Sequence, residues 1–274
     1  MKKVVLITGA SSGMGKVTAE LLAANGYIVY GAARRMEKMK DIETLGVKTL
    51  KMDVTDEASI VAGVEQIIAE QGAVDILINN AGFGFYGTVE DVPIADAKYQ
   101  LDVNLFGAAR LIQLVLPKMR EKGWGKIVNI SSIAGKFAMP FGGWYHASKF
   151  ALEGLSDSLR NEVKDFGIDV IIIEPGGIKS EWTDIAAGNL MKNTGNSAYD
   201  PMRNRLVRFM TKLNKANEKP EASPEVIAKL IKKGIEAKNP KTRYSAGYMA
   251  RLSLFGKKWL SDKMFDKILL KQME

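Results

Sequence analysis

The 274-residue chain predicts an α/β fold, a single doubly wound parallel sheet of about seven strands with helices on both faces. Three observations carry that expectation. Short continuous apolar runs recur along the chain, as strands buried on both faces require. Segments with helical periodicity alternate with them. A glycine-rich turn joins the first apolar run to the first helix, where free backbone N–H groups and the helix dipole make a place for a pyrophosphate.

In order, Val4 to Ile7 reads as a central strand. Thr8, Gly9, Gly13 and Gly15 form the turn, and a helical pattern runs from Val17 through Leu22. The second strand, Tyr27 to Tyr30, ends in Ala32, Ala33, Arg34 and Arg35. A helix over 36–44 leads to a strand over Val47 to Met52, closed by Asp53 and Val54, which are placed to flank an adenine. A helix over 56–71 leads to a strand over 75–78, ending in Asn79, Asn80, Ala81 and Gly82. Residues 94–120 read as one long helix with Asn104 in its middle, a residue type that needs a reason there. Strand 126–131, a helix from about 145 to 166 and strand 169–173 follow, closed by Glu174, Pro175, Gly176 and Gly177.

Composition excludes several chemistries. There are no cysteines and one histidine, which removes disulfides, thiolate sites, cysteine nucleophiles and histidine-rich metal sites; no metal site is expected. The apolar run after Met1, Lys2 and Lys3 is broken too early by Gly9, Ser11 and Ser12 for a signal peptide. No stretch approaches ~18 consecutive apolar residues, so a soluble, cytoplasmic chain is expected. Residues 203–274 hold 18 Lys/Arg against 7 Asp/Glu, a net of +11, while residues 1–202 carry a net of −3. That excess lies in a tail without a nucleic-acid-binding module, and nucleic acid is not an expected partner.

The end of the second strand bears on the cofactor. A site for NAD places an acid there to bind the ribose 2′-hydroxyl. This chain places Arg34 and Arg35 there, two guanidiniums suited to the 2′-phosphate of NADP. The alternative is that they only begin the next helix. The turn itself has a rival reading, since Gly9, Ser11 and Gly13 match the Gly-x-Ser-x-Gly of a hydrolase nucleophile elbow. That triad would need His146, and an elbow on the first strand lacks an upstream loop for the second oxyanion donor.

Tyr145 and Lys149 stand at i and i+4 on the helix from 145, stacked on one face. An ammonium beside a phenol favours the phenolate, so Tyr145 is expected to move toward neutral pH and act as a general acid/base. Ser132, at the end of the strand over 126–131, has a hydroxyl placed to hold the same oxygen. An ordinary surface pair on a helix is the competing account of Tyr145 and Lys149. His146, ~100° round the helix from Tyr145, reads as packing or rim.

Thr8-Gly9-x-x-x-Gly13-x-Gly15, Asn79 to Gly82, Asn104, Ser132, Tyr145-x-x-x-Lys149 and Pro175-Gly176 together resemble the short-chain dehydrogenase/reductase family, over roughly residues 1–180. Gly84, Gly87, the long segment after Ser180, Arg243 and Tyr244 look most like its 17β-hydroxysteroid and retinol dehydrogenase-like subgroup. The resemblance implies a Rossmann-type sheet and reversible hydride transfer between a carbonyl compound and its alcohol; Arg34 and Arg35 make NADP(H) the expected cofactor over NAD(H), and the aromatic residues near the site make a hydrophobic substrate expected. It implies Tyr145 as acid/base, Lys149 as the ribose ligand that lowers the Tyr145 pKa, and Ser132 as the group orienting the carbonyl. Asn104 would distort its helix and hold a water feeding a relay to Lys149. Cofactor contacts would come from Thr8, Gly9, Ser11, Ser12, Gly13, Met14, Gly15, Arg34, Arg35, Asp53, Val54, Asn80, Ala81, Gly82, Tyr145, Lys149, Pro175, Gly176, Ile178 and Ser180, the last standing where the family often has Thr. A homodimer or homotetramer is implied as well. A regulatory cofactor-binding protein on the same fold is the alternative, which an intact tetrad argues against.

One domain over 1–274 is expected. Residues 181–222, which carry Trp182, Met191, Phe209 and Met210 without clear helical periodicity, are expected to form a substrate lid. Phe83, Phe85, Phe137, Met139, Phe141 and Trp144 suggest an apolar pocket. Ser223 and Pro224 mark a helix start. The extension over 247–274 includes an amphipathic pattern from Lys258 to Gln272, with Trp259, Leu260, Met264, Phe265, Ile268 and Leu269 on one face and a lysine rim on the other. That face is expected to dock on the body; an anionic membrane surface is the alternative.

Overall fold

A computed structural model of the chain describes residues 2–179, 186, 188–190, 198–216 and 222–273. Ser180, and within the expected lid Trp182, Met191 and the other positions of 181–185, 187, 191–197 and 217–221, lie outside the described residues. Seven strands form one sheet in the order β3-β2-β1-β4-β5-β6-β7: β1 Val4–Thr8, β2 Ile28–Ala33, β3 Lys48–Lys51, β4 Ile76–Asn79, β5 Gly125–Ile130, β6 Ile168–Pro175 and β7 Arg243–Ala246. All six strand pairings are parallel. The expected doubly wound sheet is therefore observed.

The strands are continuous apolar runs because both faces are covered. Val5, Ile7, Val29, Ile78, Val128 and Ile171 pack on one face, beneath α1 (Gly13–Ala24) and α8 (Pro224–Glu236), which contributes Ile227, Ile231 and Ile235. Val4, Leu6, Leu77, Ile127 and Val170 alternate onto the other, against α3 (Glu57–Gln71), α5 (Gly107–Lys122) and α6 (Gly143–Val163). A short 3-10 turn at Met36–Met39 and α2 (Lys40–Glu43) replace the expected helix over 36–44. Helix caps follow the sequence: Asp56 accepts from the Ala58 and Ser59 amides, and the Ser223 hydroxyl accepts from the Glu225 amide.

Strand order reverses between β1 and β4, which lie side by side with β2 beyond one and β5 beyond the other. The chain therefore leaves these strands in opposite directions, and their carboxyl ends open a crevice between diverging connections.

Three expectations need correction. The segment over 94–120 is not one regular helix: α4 (Ile94–Leu101) and α5 are joined by a π-helical turn at Asp102–Phe106 that contains buried Asn104. The segment after Ser180 does contain a long helix, α7 (Asp200–Ala216). Its apolar period, Leu206 and Met210 with Val207 and Phe209, is diluted by Arg203, Arg205, Arg208 and Lys212 on the other sides. The tail pattern is two helices, α9 (Ala250–Trp259) and α10 (Asp262–Gln272), divided where Leu260 and Ser261 are extended. Ser261 and Asp262 are residues suited to a new helix start, and the break turns Phe265 and Leu269 onto Phe137, at 5.0 Å between the two phenyl rings. The tail thus docks on the body through Phe265 and Leu269, and through Met273, which packs in the cluster of Tyr86, Phe141 and Tyr145, while Trp259, Met264 and Ile268 are exposed. Among the described residues, no helix is long and apolar enough to cross a membrane.

Candidate active site

The crevice is built first from the turn after β1. Gly9 adopts φ +70, and a Cβ there would stand 2.9 Å from the Asn80 side-chain nitrogen and 3.0 Å from the Ala81 Cα. A Cβ on Gly15, at the start of α1, would lie 2.5 Å from the Gly9 carbonyl oxygen. Both glycines let the turn close onto the end of β4. Thr8 and Asn80 tie the two strand ends together: the Thr8 hydroxyl accepts from the Asn80 and Ala81 amides at 3.1 and 3.0 Å, and Asn80 Nδ2 donates to the Thr8 carbonyl at 2.9 Å. Ser12 precedes α1 as an extended N-cap residue that makes no side-chain cap bond. The first amides of α1 and this cradle fit a pyrophosphate. Met14 packs on the core below and Gly13 opens the helix.

Arg34 and Arg35 differ in what they reach. Arg35 directs Nη2 toward the hydroxyls of Ser11 and Ser12, at 3.4 Å each. A depression beside the turn is lined by Ser11, Ser12, Gly13, Lys16, Glu37, Lys38, Lys40 and Asp41, and Lys16 is paired with Asp41, so its rim carries charges of both signs. Arg34 is mostly exposed, donates to the Tyr99 hydroxyl at 2.8 Å and lies 3.8 Å from Asp53. Asp53 accepts from the Thr55 amide and hydroxyl, and Val54 packs under Gly107.

Tyr145, Lys149 and Ser132 converge at the ends of β5 and α6. The buried stripe of α6 includes Tyr145, Ser148, Lys149, Leu152, Ser156, Leu159 and Val163, a helical period that fixes the first and third residues on one face. Tyr145 and Ser132 share a side-chain hydrogen bond. Lys149 Nζ donates to the Ile130 carbonyl at 2.9 Å and lies 6.0 Å from the centre of the Tyr145 ring. Ser132 also accepts from the Ala134 amide at 3.1 Å, which holds it against the strand end.

The expected fall in the Tyr145 pKa is not what the fold produces. Burial pushes the phenol up to about 12, against the opposing Ser132 hydrogen bond. Burial likewise pushes Lys149 down to about 8, opposed by the Glu153 carboxylate. Desolvation outweighs the pairwise attraction because both groups are enclosed. The Tyr145 phenol therefore keeps its proton at neutral pH, as an unperturbed phenol also does.

Asn104 is placed by the π turn. Its Nδ2 donates to the Phe83 carbonyl at 2.9 Å and to the Ser148 hydroxyl at 3.0 Å, and its Oδ1 accepts from the Phe83 amide at 3.0 Å. A Cβ on Gly82 would stand 3.2 Å from Asn104 Oδ1 and 3.6 Å from Lys149 Nζ, so these two polar atoms flank one glycine. The turn from Asn79 to Gly82 is thereby clamped between β1 and the distorted helix. On the far side Pro175 closes β6, the Gly176 amide donates to Ala246, and Ile178 is buried.

Several contributors escaped sequence reasoning. Asn79 bonds Asn129 at 2.9 Å and Asn129 bonds Ser156 at 2.8 Å, a buried ladder linking β4, β5 and α6 beneath the site. Ser148 and Ser156, polar residues on the buried stripe of α6, were its visible trace. Tyr86, Phe141 and Tyr145 cluster with Leu190, Leu206, Met210 and Met273, while Phe137 turns instead to the tail. His146 is buried: its Nδ1 faces the Ala134 carbonyl and its Nε2 accepts from the Met139 amide, both at 2.9 Å. With both nitrogens engaged by backbone, it packs the loop after Ser132 and is no base for Ser11.

A cradle that fits a dinucleotide at a switch point, beside buried Tyr145 and Lys149 and half-buried Ser132, is the arrangement of an oxidoreductase of the nicotinamide type. The family model "short chain dehydrogenase" matches residues 3–189. The chain is 40% identical over 271 residues to the 3-ketodihydrosphingosine reductase of Bacteroides thetaiotaomicron, covering 97% of this chain and 96% of that protein. It is 33% identical over 279 residues to the NADPH-dependent 3-dehydrocapnine reductase of Ornithobacterium rhinotracheale, covering 98% and 96%. A crystal structure of a short-chain dehydrogenase from Streptomyces avermitilis superposes with a TM-score of 0.79 at 32% identity, covering 98% of this chain and 95% of that one. The chain belongs to the short-chain dehydrogenase/reductase family.

Proposed function

We propose that this chain is an NADP(H)-dependent reductase of a ketone carried on a long aliphatic amino lipid. The convergence of Tyr145, Ser132 and Lys149 at the mouth of an apolar cluster carries the reading. The names of the two relatives, reductases of 3-ketodihydrosphingosine and of 3-dehydrocapnine, support the substrate class. Arg35 with Ser11 and Ser12 supports a 2′-phosphate, and one of those relatives is named as NADPH-dependent.

The nicotinamide dinucleotide supplies the hydride when bound. The turn from Gly9 to Gly15 and the N-terminus of α1 would hold its pyrophosphate, Asp53 and Val54 would flank its adenine, and Asn80 to Gly82, Pro175, Gly176 and Ile178 would line its nicotinamide half. Ser132 donates a hydrogen bond to the ketone oxygen, and Tyr145 gives that oxygen its phenolic proton as the alcohol forms. Lys149 holds the nicotinamide ribose, and Asn104 supports the water that returns a proton toward Lys149 and Tyr145. Tyr86, Phe141 and the Leu206–Met210 face of α7 exclude water and take the alkyl chain.

The test is loss of NADPH absorbance with a long-chain 2-amino-3-ketone, compared with a short ketone. Turnover that rises with chain length supports the reading. Tight NADPH binding with no turnover on any ketone would overturn it in favour of a regulatory role.

A further inference from the structure

We infer that the helical hairpin of α9 and α10 rests on an anionic lipid surface, the apolar side chains entering the bilayer interface and the lysines pairing with headgroups. Apolar side chains that the body leaves bare are concentrated in this short stretch. Leu252, Phe255, Trp259, Met264 and Ile268 are exposed by 62, 64, 67, 55 and 46%. On α9, Leu252, Phe255 and Trp259 recur at i, i+3 and i+7. At ~100° per residue that row lies nearly opposite buried Ala250, so it faces away from the body. Phe255 and Trp259 lie with ring centres 6.4 Å apart, a joined aromatic surface. On α10, Met264 and Ile268 stand one turn apart on a side away from Phe265 and Leu269, which are buried.

Charge selects the occupant. Residues 250–273 hold six Lys/Arg against two Asp/Glu. Arg251 and Lys258 flank the α9 row, and Lys267 and Lys271 flank Met264 and Ile268, all four exposed. On the ~100° wheel, Asp266 lies on the opposite flank of α10, and Asp262 is paired with Lys257. Aromatic and aliphatic side chains with lysines beside them are the composition of a helix lying in a membrane interface. A second copy of this chain would bring the same positive rim against itself, a like-charge contact. An anionic surface meets both the apolar row and the rim.

The hairpin also joins this surface to the candidate site. Its buried side chains Phe265 and Leu269 pack on Phe137, and Met273 lies in the cluster that contains Tyr145 and Phe141. A bilayer-seated hairpin therefore holds the apolar cluster one helix away from the source of a lipid substrate. The inference itself rests on the exposed face, not on the reaction.

The experiment is co-sedimentation of the full chain with phosphatidylglycerol vesicles and with phosphatidylcholine vesicles, at low and high salt. The expected result is binding to the anionic vesicles, weakened on the order of tenfold or more by high salt and on the neutral vesicles. The pair Phe255→Ser with Trp259→Ser, and separately Lys258→Glu with Lys267→Glu and Lys271→Glu, should each abolish binding without lowering the melting temperature. The lysine set lies on exposed positions and keeps the test decisive should the aromatic pair unfold. Equal binding to both vesicle types, or binding that survives the lysine set, overturns the inference. So does a wild-type oligomer that ignores vesicles and dissociates in the aromatic pair, which would make the face an interface between copies. Tyr145→Phe tests the reductase reading separately and should leave sedimentation unchanged.

Discussion

Tyr145 illustrates how burial reverses an argument made from neighbours alone. The lysine one turn away would lower its pKa in water, but enclosure raises it to about 12. Removing the proton donor in Tyr145→Phe should keep the fold and NADPH binding while turnover falls by about 10²–10⁴-fold, measured on the purified variant. Near-normal turnover would remove Tyr145 from the chemistry. Lys149 gives a pH prediction with a fixed sign. Its folded pKa of about 8 lies below its ordinary 10.5, so the unfolded chain binds more protons between those values. The cost of burying the ammonium is fully present below about pH 8 and is relieved as pH rises toward 10.5. Against Lys149→Met, wild-type stability should therefore climb over that window, read from melting temperatures at stepped pH; parallel curves would show the lysine is not desolvated. The two arginines should also separate. Arg35→Ala should weaken NADP binding by about 10–100-fold with little effect on NAD, as losing a charged hydrogen bond of ~1.5–3 kcal/mol implies. Arg34→Ala should do less, because Arg34 reaches Tyr99 and Asp53 rather than the serines. Equal losses of NADP and NAD in Arg35→Ala would assign Arg35 to the fold.

At the scale of elements, the π turn around Asn104 is the feature that places the crevice wall. The sequence showed that an Asn in the middle of a helix needed a reason. It could not show that the extra width of the turn lets one side chain bond both polar atoms of Phe83 and the hydroxyl of Ser148. Asn104→Leu removes three hydrogen bonds at once; Gln100 still donates to the Phe83 carbonyl and Ser148 to the Tyr145 carbonyl, so the Phe83 amide is the group left without its acceptor. A loss of ~1–3 kcal/mol is expected for that group, together with lower activity. Denaturant unfolding checks it, and a loss under ~1 kcal/mol would show that water replaces the amide. The tail teaches the complementary lesson. Its pattern reads as one face, yet a break at Leu260 and Ser261 sends Phe265 and Leu269 inward and leaves Trp259, Met264 and Ile268 outside. Periodicity reports which residues share a side, and only packing decides which side is covered.

Across the whole molecule, a network of charges fastens the last strand to α6, the helix that carries Tyr145 and Lys149. Arg243 on β7 donates to Glu153 at 3.1 and 2.9 Å and to Asp157 at 2.6 Å, both on α6, and lies 3.4 Å from Glu174 on β6. Lys136 adds a second cation to Glu153 and Glu174, both buried carboxylates. Burial is the main cause that raises the Glu174 pKa, and the Glu153 charge adds to it. Arg243→Met should cost about 1.5–3 kcal/mol at neutral pH, since it removes charged hydrogen bonds to Glu153 and Asp157 while Lys136 and Arg160 stay beside those carboxylates. The loss should shrink in acid, where Glu174, its pKa raised by burial, takes up a proton; a pH-independent loss would mean that the Arg243 stem, not its charge, matters. None of this network was legible, because Glu153 and Arg243 are ninety positions apart and each looks like a surface charge.

The sequence by itself determined the strand–helix alternation, the glycine-rich turn and the i, i+4 stacking of Tyr145 on Lys149. Those features depend on local period, on glycine's freedom from a Cβ and on helix geometry, which act over a few residues. Tertiary structure alone decided the raised pKa of Tyr145, the pairing of Arg35 with two serines, the clamp of Asn104 on Phe83 and the bare apolar row of the tail. Each of these depends on enclosure or on a partner distant in the chain, and solvent exclusion belongs to the assembled molecule rather than to any segment of it.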